Sequence, residues 1–199
     1  DLIGEKAWDE YPKLSHDIYL ELAQMEFLAI NYDTAENLFQ IVLSRLDSEL
    51  EKASIYAIKI FLYGGIGKYQ EAVETGLQAL KRLGVNIKIK PSIWAYLKEM
   101  ITFKWLMANK SIEDLAYLPE MEDPLQIKIA ELLNCIANVT MTCYPNLHGL
   151  IILKASNHCL KYGNTPVAST AYLGYSIISA SILGDYLAGE KYGDVSIKI

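Results

Sequence analysis

Cys135, Cys143 and Cys159, with His148 and His158, are the side chains of this chain best suited to chemistry, because thiolate and imidazole are the donors that Zn²⁺ selects. Their spacing does not make a structural zinc motif, which brings its ligands in pairs two to four residues apart. The closest pair, His158-Cys159, is adjacent, so on a helix the two side chains diverge by ~100°. A cysteine nucleophile beside a histidine base would need spatial neighbours, and no signature surrounds any of the three thiols. Gly64-Gly65-Ile66-Gly67-Lys68 has the glycines and lysine of a phosphate-binding loop. That fingerprint places glycine five residues before the Gly-Lys pair and Ser or Thr after it, and Leu62 and Tyr69 stand there instead. Glu49 with Glu51, and Glu120 with Glu122, lie at helix starts, where the helix dipole explains carboxylates without catalysis. We therefore expect no catalytic residue, no metal and no cofactor in this chain.

The elements that would have to position such groups read almost continuously as helix. Ile18, Leu22, Met25, Ala29 and Tyr32 follow the 3.6-residue period from Ser15 on, as do Ala35, Leu38, Val42 and Leu46 in the next segment. Ala53, Ala57, Ile60 and Gly64 line a third helix. Tyr69, Ala72, Val73, Gly76, Leu80 and Leu83 line a fourth that ends at Gly84. After an extended connector from Val85 to Lys90, Pro91 and Ser92 open a helix running to about Ala108. Ser111 and Asp114 form a capping box for one short turn that Pro119 stops. Asp123, Pro124 and Gln126 cap a long helix, Asn146 to Tyr162 forms another, and Thr165 with Pro166 opens an uncharged one before Gly184. Asp185 starts the last.

One phrase recurs at the corners between these helices: Ile30-Asn31-Tyr32-Asp33-Thr34-Ala35, Gly67-Lys68-Tyr69-Gln70-Glu71-Ala72 and Gly184-Asp185-Tyr186-Leu187-Ala188-Gly189. A small or flexible residue ends one helix, tyrosine fills the corner, and a small residue three positions later admits the next helix. Tyr32 and Tyr69 are 37 residues apart, close to the 34 of tetratricopeptide repeats, which the phrase resembles. Phe39, Tyr63 and Ala79 also stand where that repeat expects them. Ile30 replaces its corner glycine and Gly76 one of its large residues. The expected fold is all-α: a right-handed superhelix of antiparallel hairpins, nine to ten helices in a single domain over residues 1–199. Residues 1–84 form two tetratricopeptide-like hairpins, and 91–199 less regular ones.

The chain has 199 residues, 52% of them hydrophobic and 21% charged, which is the composition of a folded domain. Its net charge of -6 offers no basic stripe for phosphates, so no nucleic-acid partner is expected. The stretch from Tyr162 to Gly184 is uncharged, but Ser169, Thr170, Ser176, Ser179 and Ser181 dilute it, so it reads as a buried helix and no membrane partner is expected. An odd number of cysteines and no signal peptide point to a reducing, cytoplasmic setting. Because the chain opens on Asp1 and stops at Ile199 within a helical pattern, we expect a fragment of a longer protein.

A longer set of residues carries a second resemblance. Ala79-Leu80, Leu83-Gly84-Val85, Pro91-Ser92, Glu113-Asp114-Leu115, Leu118-Pro119, Met121, Asp123-Pro124, Tyr162-Gly163-Asn164 and Gly184-Asp185-Tyr186 occur in this order. Together they resemble the helical region that follows the ATPase module in very large bacterial signalling proteins. In that family a serine/threonine-kinase-like domain precedes a signal-transduction ATPase, the tetratricopeptide-like region, a GAF sensor and often a sensor histidine kinase. The resemblance implies a non-enzymatic module whose partners are proteins or neighbouring domains of the same chain, with catalysis elsewhere. The alternative is a free-standing adaptor that captures peptides of separate proteins. The tetratricopeptide resemblance implies a concave groove lined by the first helix of each hairpin, which points to Gln24, Phe27 and Phe61 as partner-binding residues.

Overall fold

The computed structural model describes residues 4–199. Ten α-helices follow in order: α1 (Gly4–Glu10), α2 (Pro12–Leu28), α3 (Tyr32–Ser44), α4 (Glu49–Gly65), α5 (Tyr69–Arg82), α6 (Ile93–Met107), α7 (Pro124–Cys143), α8 (Pro145–Tyr162), α9 (Ala168–Ser181) and α10 (Tyr186–Lys198). A 3₁₀ turn, Glu113–Tyr117, precedes α7. No strand occurs among the described residues. A lone parallel bridge joins Glu120 to Asn164.

The helices pack in adjacent pairs, α2 with α3, α4 with α5, α7 with α8 and α9 with α10, which is the expected all-helical hairpin architecture. Stacking between pairs is not sequential. Both α4 and α5 rest on α7, and α8 carries α9, while α6 leaves the stack and lies along α8. Glycines make the crossing with α7 possible. A Cβ at Gly76 would lie 2.4 Å from Ile136 Cγ1, and one at Gly64 would lie 2.8 Å from Val139 Cγ1, so these two helices approach α7 through missing side chains. Gly76, the departure from the tetratricopeptide pattern, is thus the seat of a buried isoleucine.

The recurring corner is a backbone conformation. Ile30, Gly67 and Gly184 have φ of 70°, 78° and 72°, so all three corners use the left-handed region. Asn31 N and Lys68 N donate back to Glu26 O and Tyr63 O at 2.9 Å, closing the same turn in the first two hairpins. Ala35 and Ala72 are fully buried. At Gly189 a Cβ would meet Ala180 Cβ at 2.9 Å. The small residue therefore serves all three corners, but the tyrosine serves two. Tyr32 packs edge-on to Phe27 and Tyr69 lies against the core, whereas Tyr186 is exposed.

Three local expectations need correction. The buried face of α2 is Ser15, Tyr19, Ala23 and Phe27, not Ile18, Met25 and Ala29, because Tyr19 packs on Trp8 of α1 and turns the helix accordingly. Helix α1 carries too little periodicity to be read from sequence. Helix α9 begins at Ala168 rather than Thr165. The Thr165 hydroxyl is buried without a partner among the described residues, and its carbonyl accepts from Ala168 N at 2.9 Å. At three other helix starts the expected side chains cap, whereas Ser92 makes no side-chain cap bond to α6. Asp123 accepts from Leu125 N at 2.8 Å, Asp185 from Ala188 N at 3.0 Å, and Ser111 and Asp114 cap one another.

Several residues of the longer resemblance meet at one knot. Asn164 N donates to Pro119 O, and Asn164 O accepts from Met121 N. The Asn164 amide donates to Leu115 O at 2.7 Å, and its oxygen accepts from the Tyr172 hydroxyl. Gly163, at φ 106°, lets the chain pass Pro119 O, which a Cβ would meet at 2.3 Å. The knot clamps the 3₁₀ turn onto the end of α8, an assembly of turn residues that sequence spacing alone does not reveal.

Candidate functional site

The groups that could have done chemistry are held apart in structural roles. His148 Nδ1 donates to Ala137 O at 3.1 Å and His158 Nε2 to Gln126 O at 2.9 Å, so each ring ties α8 to the backbone of α7. Burial pushes both imidazole pKa values down, and the bonds to the Ala137 and Gln126 carbonyls oppose it only in part. Burial pushes the Cys159 thiol up to about 12 and raises Cys135 as well, the reverse of what a thiolate nucleophile needs. Cys143 is exposed and its thiol points to Val139 O. Among the described residues no three His, Cys, Asp or Glu side chains are grouped to hold a metal. Gly64–Lys68 is the α4–α5 corner, and Lys68 Nζ sits 4.3 Å over the Tyr32 ring rather than facing an anion site.

A groove of about 810 Å³ opens instead between α2 and α4, closed at one end by Trp8 of α1. Its floor is apolar: Leu20 of α2 faces Ile55 and Ile58 of α4. Lys13, His16 and Asp17 rim the α2 side, and Arg45, Asp47 and Glu51 the other. Arg45 also covers the Trp8 ring at 5.5 Å. With Asp9, four carboxylates line the groove against one lysine and one arginine, so it favours a basic or neutral apolar segment over an acidic one.

The α4 wall is fixed by a polar staple. Lys59, 6% exposed, pairs with Glu36 Oε2 of α3 at 2.7 Å, and the Tyr63 hydroxyl donates to the same carboxylate. Burial first, and then the hydrogen bond to Glu36 and its charge, hold the Tyr63 phenol protonated. The staple joins α3 to α4, whose backbones otherwise touch little.

Of the three partner-binding residues expected from sequence, one is in the core. Phe27 is 2% exposed and wedged between Tyr32 and Tyr63, with ring centroids at 5.0 and 5.6 Å. Gln24 lies on α2 one turn beyond Leu20 and donates to its carbonyl at 3.3 Å. Phe61, 78% exposed, lies one turn beyond Ile58. Gln24 and Phe61 thus stand on the two helices that form the groove, one turn beyond its lining residues.

No family model matches this chain, and no solved structure matches it. Among curated proteins it is similar to hybrid signal transduction histidine kinase G of Dictyostelium discoideum, with 20% identity over 211 residues. The match covers 97% of this chain and 6% of that protein, so the chain spans a small part of its relative's length. That source is not a bacterium, so a bacterial setting gets no support from it. Among the described residues no helix is long and apolar enough to cross a membrane. The chain is thus an all-helical array distantly similar to a segment of a signalling protein.

Proposed function

We propose that this chain is a non-catalytic helical module of a larger signal-transduction protein, acting by protein–protein or interdomain contact. The observation that carries the reading is the match itself, which takes in nearly the whole chain and only 6% of a histidine kinase. The groove between α2 and α4 is the surface through which we propose it works, by accepting a segment of a neighbouring domain over Leu20, Ile55 and Ile58. Close helix packing on α7 makes hairpin positions interdependent, so a ligand in the groove would bias the arrangement of helices further along the stack. ATPase and kinase domains flanking the module, a tetratricopeptide-like repeat and a cytoplasmic location belong to the same proposal.

Two steps test it. Reading the open reading frame on both sides should reveal kinase or ATPase modules in frame; start and stop codons beside Asp1 and Ile199 would overturn the interdomain role. In the full protein, Ile58→Glu should change phosphorylation output while the far-ultraviolet circular dichroism of the isolated module stays unchanged. Unaltered output with a folded module would remove the groove from the mechanism.

A further inference from the structure

Helix α6 buries one face and leaves an organised one outside. Inward, Glu99 accepts from Lys154 Nζ at 2.6 Å and from the Asn157 amide at 2.8 Å. Phe103 stacks on Tyr175 at 4.0 Å and meets Tyr192 edge-on. Outward stand Trp94 and Trp105, each 75% exposed, Ile101 at 67%, and Leu97. These four fall at i, i+3, i+7 and i+11, a single seam along the helix, which is the anchor pattern by which one helix docks on another. With Ile93 the seam exposes on the order of 600–700 Å² of apolar side chain. That exceeds the roughly 300–600 Å² of the largest patch on a typical monomer and approaches the ~800 Å² per partner of a standard interface.

Charge selects the occupant. At 100° per residue, Lys98 lies ~40° to one side of Trp94 and Lys104 ~80° to the other, so a cation flanks the seam on each side. Residues 86–112 hold five lysines and one acid, Glu99, which is turned inward, while the remaining residues hold thirteen basic and twenty-three acidic side chains. The segment carrying α6 is thus basic on an acidic molecule, and of its five lysines Lys98 and Lys104 belong to the helix itself. An anionic bilayer would have to accept that acidic remainder along with α6. A symmetric pairing of two α6 helices would set lysines against lysines.

We infer that α6 is a docking helix for a partner helix whose apolar stripe is flanked by carboxylates. The inference rests on the interaction-module reading, but it concerns a different surface from the groove, and its assay reads α6 alone. Trp8, the third tryptophan, lines the groove, so the titration uses Trp8→Phe protein, in which indole emission reports Trp94 and Trp105 alone. The probe is a synthetic amphipathic helical peptide with a leucine stripe flanked by glutamates, compared with its lysine-flanked twin. The glutamate peptide should shift emission to the blue, bind more weakly as salt is raised, and lose binding to Ile101→Asp, whose side chain supports no packing. Lys98→Glu with Lys104→Glu should weaken it about tenfold and reverse the preference toward the lysine peptide. Equal binding of both peptides overturns the inference, as does binding of neither. A blue shift with phosphatidylcholine/phosphatidylserine vesicles but with neither peptide, or on raising the concentration of this protein alone, also overturns it. In each case the groove reading stands untouched.

Discussion

Replacing Gly76 by alanine tests the stacking order on which the rest of the architecture depends. In an ordinary exposed helix the change would stabilise by about 0.8–1 kcal/mol, because glycine is the poorer helix former. Here the new Cβ would lie 2.4 Å from Cγ1 and 2.8 Å from Cδ1 of Ile136, which is wholly buried, and 3.1 Å from Ile60 Cδ1. Contacts under 3.0 Å require α7 or its isoleucine to move, and overpacking of this kind costs about 1–3 kcal/mol. The overlap falls on two Ile136 carbons rather than on one flexible tip, which puts the clash in the upper part of that range, about 2–3 kcal/mol, and leaves a net loss of about 1–2 kcal/mol. For a domain of this size that is a fall of roughly 2–8 °C in Tm, read by circular dichroism or calorimetry. Gly65→Ala is the internal control. Nothing lies within 4 Å of a Cβ there, so stability should hold or rise by a few tenths of a kcal/mol. In an Ile136→Ala background the cost of Gly76→Ala should shrink, a non-additivity that marks direct contact. A Gly76→Ala protein as stable as the parent would refute the close α5–α7 crossing, and with it the displacement of α6 from the stack.

Other measurements probe the corner, the histidines and the thiols. Ile30→Gly should stabilise by about 0.5–1 kcal/mol in a denaturation experiment, because the left-handed strain of a β-branched residue exceeds the entropic cost of glycine and the exposed side chain gives up little burial; a loss of stability would contradict the shared corner geometry. His148 and His158 have folded pKa values below the unfolded one, so stability should be level above the unfolded value of about 6.5 and fall as pH drops through the lower folded values. His158→Gln should flatten that fall in urea titrations at pH 5 and 7.5, and an unchanged slope would remove His158 from it. Under native conditions iodoacetamide should modify Cys143, which is exposed, and leave Cys159 untouched until denaturant is added, as peptide mass mapping would read.

Local order was legible in the sequence to the extent that short-range chemistry dictates it. The corner phrase gave the hairpin turns because a left-handed residue and a small residue five positions on are local requirements, met even where isoleucine replaces glycine at position 30. Caps at Asp123 and Asp185 and the Ser111–Asp114 box were legible for the same reason. The face of α2 was not, since apolar residues surround that helix and its packing partner Trp8 belongs to an element without periodicity of its own. Equally hidden were the knot at Asn164, the seat of Ile136 at Gly76, and a like one on α9, where a Cβ at Gly174 would lie 2.5 Å from Ile152 Cδ1. A glycine read along the chain looks like a weak point in a helix, and only the neighbour that fills it turns Gly76 or Gly174 into a packing requirement.

The groove and the outward face of α6 have a common structural cause. Because α5 packs straight onto α7 through Gly76, the chain between them has no place in the stack and α6 must find support elsewhere. It finds it on α8, where Glu99 meets Lys154 and Asn157, and an acid that would otherwise neutralise the surface is drawn inward. The same stacking holds α4 against α7, so α4 is braced from behind as well as by the Lys59–Glu36 staple in front. One wall of the groove is therefore fixed, while the opposite wall, α2, is supported chiefly by α1 and α3. A segment entering the groove would meet a rigid α4 and displace α2. Removing the staple with Lys59→Met should then loosen the groove without disturbing the α4–α7 contact, and hydrogen exchange should rise in α2 and α3 while α7 keeps its protection. A rise of equal size in α7 would show instead that the two faces of α4 are not independent.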